Sequence, residues 1–153
     1  GGTGTDSINV RQPLEPPEAF ESGTIATPAI ISLGAGLSFV KEHFKEIEKR
    51  LEDLTTYINY ELRNTNGVKV YTHPDNAYGV ISFNIKDMPS TDVANVLDTK
   101  YKICARSGLH CAPLKHKHMG TTYQGSVRLS LSYYTTFTEV SKTIMAIKEI
   151  AKN

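Results

Sequence analysis

A cysteine set between a glycine and a proline, with basic residues on both sides, is the feature of this sequence best suited to covalent chemistry: Arg106-Ser107-Gly108-Leu109-His110-Cys111-Ala112-Pro113. Gly108 frees the backbone and Pro113 cannot continue a ladder or a helix, so the segment reads as a loop and its thiol as reachable. Arg106, His110, Lys115, His116, Lys117 and His118 flank Cys111, and positive charge favours thiolate, the nucleophilic form, over thiol. Cys104 lies in the apolar run Tyr101-Lys102-Ile103-Cys104-Ala105 and is expected in the core, where most free cysteines pack. Two other readings use the same residues. Cys104, His110, Cys111, His116 and His118 are zinc-type ligands, although the Cys104–Cys111 spacing matches no compact finger. A non-catalytic interaction domain would instead bury Cys111 and offer a helix to a partner.

The elements that must position this loop follow from periodicity and punctuation. Residues 1–26 show no helical or strand period and hold Pro13, Pro16 and Pro17 among several glycines, so an irregular arm is expected. Thr27-Pro28 reads as a helix start with Thr27 as cap. Apolar residues then recur in steps of three and four from Ile30 through Phe44, Leu54 and Ile58 to Leu62, with a break expected near His43 and an end at Asn66-Gly67. Strands are expected at Val68–Tyr71, Gly79–Ile85, Lys102–Arg106 and Ser126–Leu131. A short helix, capped by Ser90, is expected over Thr91–Thr99. Thr136 and Glu139 have capping-box spacing and open a last helix that turns Val140, Ile144, Ile147 and Ile150 inward. The order predicts an α+β layer pair: a small, mainly antiparallel four-stranded sheet with helices packed on one face.

Composition narrows the classes of function. The 153 residues carry seventeen Lys and Arg against sixteen Asp and Glu, a net charge of +1 that makes no case for nucleic acid. No apolar run reaches membrane-spanning length. Two cysteines and no signal-like leader suit a reducing cytoplasm. The opening Gly-Gly-Thr-Gly-Thr, without an initiator methionine, fits the remnant of a tag or a segment of a longer chain.

Three motifs in this order, Phe20-Glu21-Ser22-Gly23-Thr24, the Cys111 loop, and Val127-Arg128-Leu129-Ser130-Leu131 followed by Tyr134, resemble the C-terminal part of class V, fold-type I pyridoxal-phosphate enzymes, and within them the cysteine desulfurases and selenocysteine lyases. The resemblance runs from the glycine-rich start through the last helix. It implies that Cys111 takes sulfur from L-cysteine or a related amino acid as a persulfide, releasing alanine, and passes it to an acceptor protein. It implies that Arg128 pairs with the substrate carboxylate, that Arg106 is a secondary substrate or loop anchor, and that His110 tunes the thiol or shuttles a proton. Gly23 and Thr24 match residues that reach the cofactor phosphate of the other subunit, which makes the implied enzyme a homodimer. Residues 1–26 then correspond to an arm of the large cofactor domain, and residues 27–153 to the small C-terminal domain. The family's Schiff-base lysine, which follows a histidine upstream of the Cys loop, has no counterpart: His116-Lys117 lies downstream of Cys111. The aspartate that holds the pyridine nitrogen and the main phosphate loop are also unmatched, and Tyr134-Thr135-Thr136 stands where the family has Tyr-Asn-Thr. This chain alone is therefore expected to be inactive and to hold no covalent cofactor. A selenocysteine lyase or another class V aminotransferase is the neighbouring alternative.

Overall fold

The computed structural model describes residues 8–21, 23–76 and 78–152. Helix α1 (Thr27–Arg63) leads into strands β1 (Val68–Val70) and β2 (Val80–Ile85), then α2 (Ser90–Tyr101), α3 (Pro113–Met119), β3 (Val127–Ser130) and α4 (Phe137–Lys152). The chain divides into two compact units, Gly1–Phe44 and Lys45–Asn153, and the boundary falls inside α1.

In the first unit a 3-10 turn, Glu18–Phe20, is held by Gln12, whose Nε2 donates to the carbonyls of Glu18 (2.6 Å) and Glu21 (2.7 Å). Helix α1 is continuous, and the break expected near His43 is not made. No glycine or proline interrupts the run from Leu37 to Arg63, and Phe39 and His43, one turn apart, bring their rings to 4.5 Å. Thr27 is the first helical residue rather than the cap, since the amide of Ile30 already bonds the carbonyl of Ala26.

The second unit holds the core. Strands β1, β2 and β3 form an antiparallel sheet in that order, with Val70 opposite Phe83, Ile81 opposite Leu129 and Ser82 opposite Arg128. Side chains alternate between the two faces of a strand. On one face Ile81, Phe83, Ile85, Val127 and Leu129 join Leu54, Ile58 and Leu62 of α1, Val93 and Leu97 of α2, and Val140, Ile144, Ile147 and Ile150 of α4 in one buried cluster. The opposite face carries Ser82, Asn84 and Arg128, and α3 borders it.

Two corrections to the expected architecture follow. The sheet has three strands among the described residues, not four. Helix α2 runs on to Tyr101, Lys102 closes it in the left-handed region at φ 58°, and what remains of the expected third strand is a single bridge of Arg106 with Arg128. Helix α3, which the sequence did not announce, borders the polar face, so one-sided packing describes α1, α2 and α4 only. The capping box of α4 is formed: the Glu139 amide donates to Thr136 Oγ1 (3.2 Å) and the Thr136 amide to Glu139 Oε2 (2.8 Å).

Candidate active site

Cys111 is exposed on the loop between the Arg106 bridge and α3. His110 and Cys111 are consecutive non-glycine residues at positive φ, 52° and 58°. Each pays roughly 1–2 kcal/mol for that left-handed backbone, so surrounding bonds must hold the loop in this shape. The Ala112 amide closes the turn onto the Leu109 carbonyl at 2.8 Å, and Pro113 starts α3, where its missing N–H has no helical partner to lose.

Arg106 and Arg128 exchange both backbone bonds of a bridge, 3.0 and 2.7 Å. From this platform the Nη2 of Arg106 reaches Cys111 Sγ at 3.8 Å. Arg128 is half-buried on the polar face, and its Nε is buried with no protein partner. His110 Nε2 bonds the Ser126 carbonyl at 2.9 Å. A carbonyl only accepts, so Nε2 carries the hydrogen and Nδ1 holds the free lone pair; that Nδ1 is buried without a partner. Burial lowers the His110 pKa below the usual histidine value; the Ser126 bond opposes this, while Arg128, Arg106 and His116 add to it. The imidazole is therefore a neutral base with one defined proton-accepting atom.

Tyr71, Ser82, His110, His116, Met119 and Arg128 are among the residues that line an open cavity of about 220 Å³ on this face, and among the described residues no aspartate or glutamate lines it. A cavity with a guanidinium and no acidic partner is suited to an anion.

The structure thus gathers Cys111, Arg106, His110 and Arg128 around one loop. Gly23 and Thr24 belong to the other compact unit. Gly23 takes φ 84°, and Thr24 is exposed. Ser22 and the glycine-rich opening lie outside the described residues. Cys104 is exposed, not in the core. Its neighbours Ile103 and Ala105 take the inward positions of the extended segment, which turns residue 104 outward. Among the described residues no three His, Cys, Asp or Glu side chains gather as a metal site. No described helix is long and apolar enough to cross a membrane.

Sequence reasoning missed several residues around the loop. His116 reads as one of a basic cluster but is only 2% exposed, its Nδ1 2.8 Å from Thr121 Oγ1 and its ring 5.9 Å from that of His110. Its place three residues after a helix-starting proline was the available signal. Ser90 caps no helix; its Oγ accepts the Gly108 amide at 3.2 Å.

The profile of the class-V aminotransferases matches residues 1–143, and the chain belongs to that family. A protein of Methanothermobacter thermautotrophicus described as a probable cysteine desulfurase is 36% identical over an alignment of 154 positions that covers 99% of this chain and 38% of the relative. One of Pyrococcus abyssi with the same description is 34% identical over 91% of this chain and 34% of its own length. The apo structure of cysteine desulfurase from Thermococcus onnurineus NA1 superposes with a TM-score of 0.78 at 34% identity, covering 90% of this chain and 34% of that one. The chain therefore spans little more than a third of the length of these relatives.

Proposed function

We propose that this chain is the part of a pyridoxal-phosphate-dependent cysteine desulfurase that supplies the sulfur-accepting thiol and the grip on the substrate carboxylate. The observation that carries the reading is an exposed sulfur, Cys111 Sγ, 3.8 Å from the Arg106 guanidinium, on a loop that borders a cavity lined by Arg128 and by no described carboxylate. The similarity to cysteine desulfurases named above supports it.

Each residue then has a task. Arg128 takes the carboxylate of L-cysteine in a bidentate pair, which orients the substrate sulfur. Cys111 attacks as thiolate: a bond forms between its Sγ and the substrate sulfur, the substrate Cβ–S bond breaks with its electron pair left on Cβ, and a proton completes alanine. Bound pyridoxal phosphate supplies the electron sink that makes this cleavage accessible. Arg106 touches and orients the sulfur from its bridged strand position, and His110 holds or passes a proton at Nδ1, the atom its Ser126 bond leaves free. The persulfide is then carried on an exposed loop, where an acceptor protein can reach it.

The residues present fit one edge of the cofactor. Gly23 and Thr24 offer a turned backbone and an exposed hydroxyl, a donor set of the kind a phosphate takes, and we assign them to the phosphate bound in a second subunit of a homodimer. Residues 1–26 are accordingly read as an arm of the large cofactor domain and residues 27–153 as the small C-terminal domain.

The test is Cys111→Ser in the full-length protein. Alanine release from L-cysteine should stop while the cofactor stays bound. Undiminished release, or transamination of L-cysteine with no sulfur transferred, overturns the proposal and points to another class-V activity.

A further inference from the structure

The two ends of the Cys111 loop meet at a neck. Ser126 donates its amide to the Gly108 carbonyl at 3.1 Å, and Gly108 donates its own to Ser90 Oγ at 3.2 Å. Ser90 in turn donates its amide to the Gln124 carbonyl at 3.0 Å. Gly125 sits inside this neck at φ +68°, where an added Cβ would stand 2.5 Å from Ser90 Oγ and 2.9 Å from Gly108 Cα. The backbones approach so closely that only glycine fits.

Asn84 of β2 holds the neck from below. It is 2% exposed, and its Nδ2 donates to the Gly125 carbonyl and to Gln124 Oε1, both at 2.9 Å. The amide of Gln124 donates onward to the carbonyls of Lys86 (2.7 Å) and Met88 (2.9 Å). Nδ2 also donates to Tyr71 Oη at 3.2 Å. The two shorter bonds end on carbonyl oxygens, which can only accept, so the site needs a side chain with two hydrogens to give, and an isosteric carboxylate would set lone pairs against lone pairs there. The neck also sets the strained segment. Ser126, which closes it, supplies the carbonyl that fixes His110, and His110 and Cys111 are the two consecutive left-handed residues.

We propose that Asn84 is the positioning residue of the Cys111 loop: by tying Gly125 and Gln124 to β2 it keeps the neck shut, and the shut neck holds Cys111 Sγ against Arg106. The neck closes both ends of the segment that carries Cys111, and Ser126 at its base also fixes His110, the residue before the sulfur. The inference deepens the reading of Cys111 as nucleophile, but its test reads thiol chemistry without substrate or turnover.

Cys104, also exposed and outside the neck, is an internal reference. In the full-length protein, the ratio of iodoacetamide alkylation rates, Cys111 over Cys104, should fall about tenfold in Asn84→Asp, the range expected when a buried donor pair is lost. Gly125→Ala opens the neck by bulk rather than by charge and should move the ratio the same way. With L-cysteine, kcat should fall and KM hold, since the carboxylate grip is untouched. Should either variant fail to fold, Gln124→Ala removes one of the two carbonyl acceptors of Asn84 and should give a smaller fall in the same ratio. A ratio unchanged in the variants that fold, with only the melting temperature lowered, makes Asn84 a structural residue and overturns the proposal. Loss of the Cys111→Ser phenotype would sink the desulfurase reading and leave this ratio standing.

Discussion

Arg106 Nη2 lies 3.8 Å from Cys111 Sγ, and the backbone of the same arginine is bridged on both sides to Arg128. One residue therefore links the sulfur to the arginine assigned to the substrate carboxylate. The bridge fixes Arg106, whose side chain reaches the sulfur, to the strand that carries Arg128. With Cys111 proposed as nucleophile and Arg128 as substrate clamp, an arginine that touches one and is bridged to the other is a place where orientation would contribute to rate.

Removing the side chain of Arg106 leaves the bridge intact. Because the guanidinium is exposed, its influence on the sulfur is moderate: Arg106→Ala should slow alkylation of Cys111 by about threefold, corresponding to the roughly 0.2–1 kcal/mol of an exposed ionic contact. Stopped-flow thiol labelling gives the rate. An unchanged rate would remove Arg106 from the account of the thiol.

Arg128 is half-buried with an unpartnered Nε, so it stands ready for an anion. Arg128→Ala should raise KM for L-cysteine about 10- to 100-fold, the range of a charge-assisted hydrogen bond. Arg128→Lys should recover part of this, because an ammonium keeps the charge and loses the planar fork. Steady-state alanine release by the full-length protein measures both.

Burial lowers the His110 pKa in the folded chain, from an ordinary value of 6.5. The sign follows from proton counts: between the lowered value and 6.5 the unfolded chain binds a proton that the folded one does not. Stability from this group is complete above 6.5 and is lost as pH falls toward the folded value. The His110 ring resonance should titrate below 6.5 by NMR, and His110→Gln should flatten the loss of thermal stability on that acid limb. A midpoint at or above 6.5 contradicts the buried, unpartnered Nδ1.

The box of Thr136 and Glu139 is independent of the site. Thr136→Ala should cost about 1 kcal/mol, a typical N-cap loss. For a chain of this size that lowers the melting temperature by about 2–4 °C in a calorimetric scan. Alanine release should be unaffected, and a fall in activity would place α4 closer to the chemistry than the geometry does.

The parts of this structure that were legible in the sequence are those where one local signal decides. Gly108 and Pro113 mark a loop, and Cys111 is exposed on it; Thr136 and Glu139 mark a helix start, and the box forms. Legibility failed where distant partners override a local signal. Ser90 has the chemistry of a cap, yet its hydroxyl accepts from Gly108, eighteen residues away. Cys104 sits among apolar neighbours, but the pleat of the extended segment puts Ile103 and Ala105 inside and residue 104 outside. The expected third strand was lost at Lys102, whose left-handed backbone ends α2, and one bridge remains of it. Asn84, next to last in β2, shares the polar face of the strand with Ser82 and gave no signal beyond that alternation. Its role depends on carbonyls some forty residues further on.

The central claim is that one sulfur of this chain accepts an atom from a bound amino acid. Peptide mass spectrometry of full-length protein quenched during turnover of L-cysteine reads it directly. The account predicts the added mass of one sulfur atom on the peptide that contains Cys111 and none on the peptide that contains Cys104. Alanine release with neither peptide gaining sulfur, or with the gain on Cys104, would contradict it.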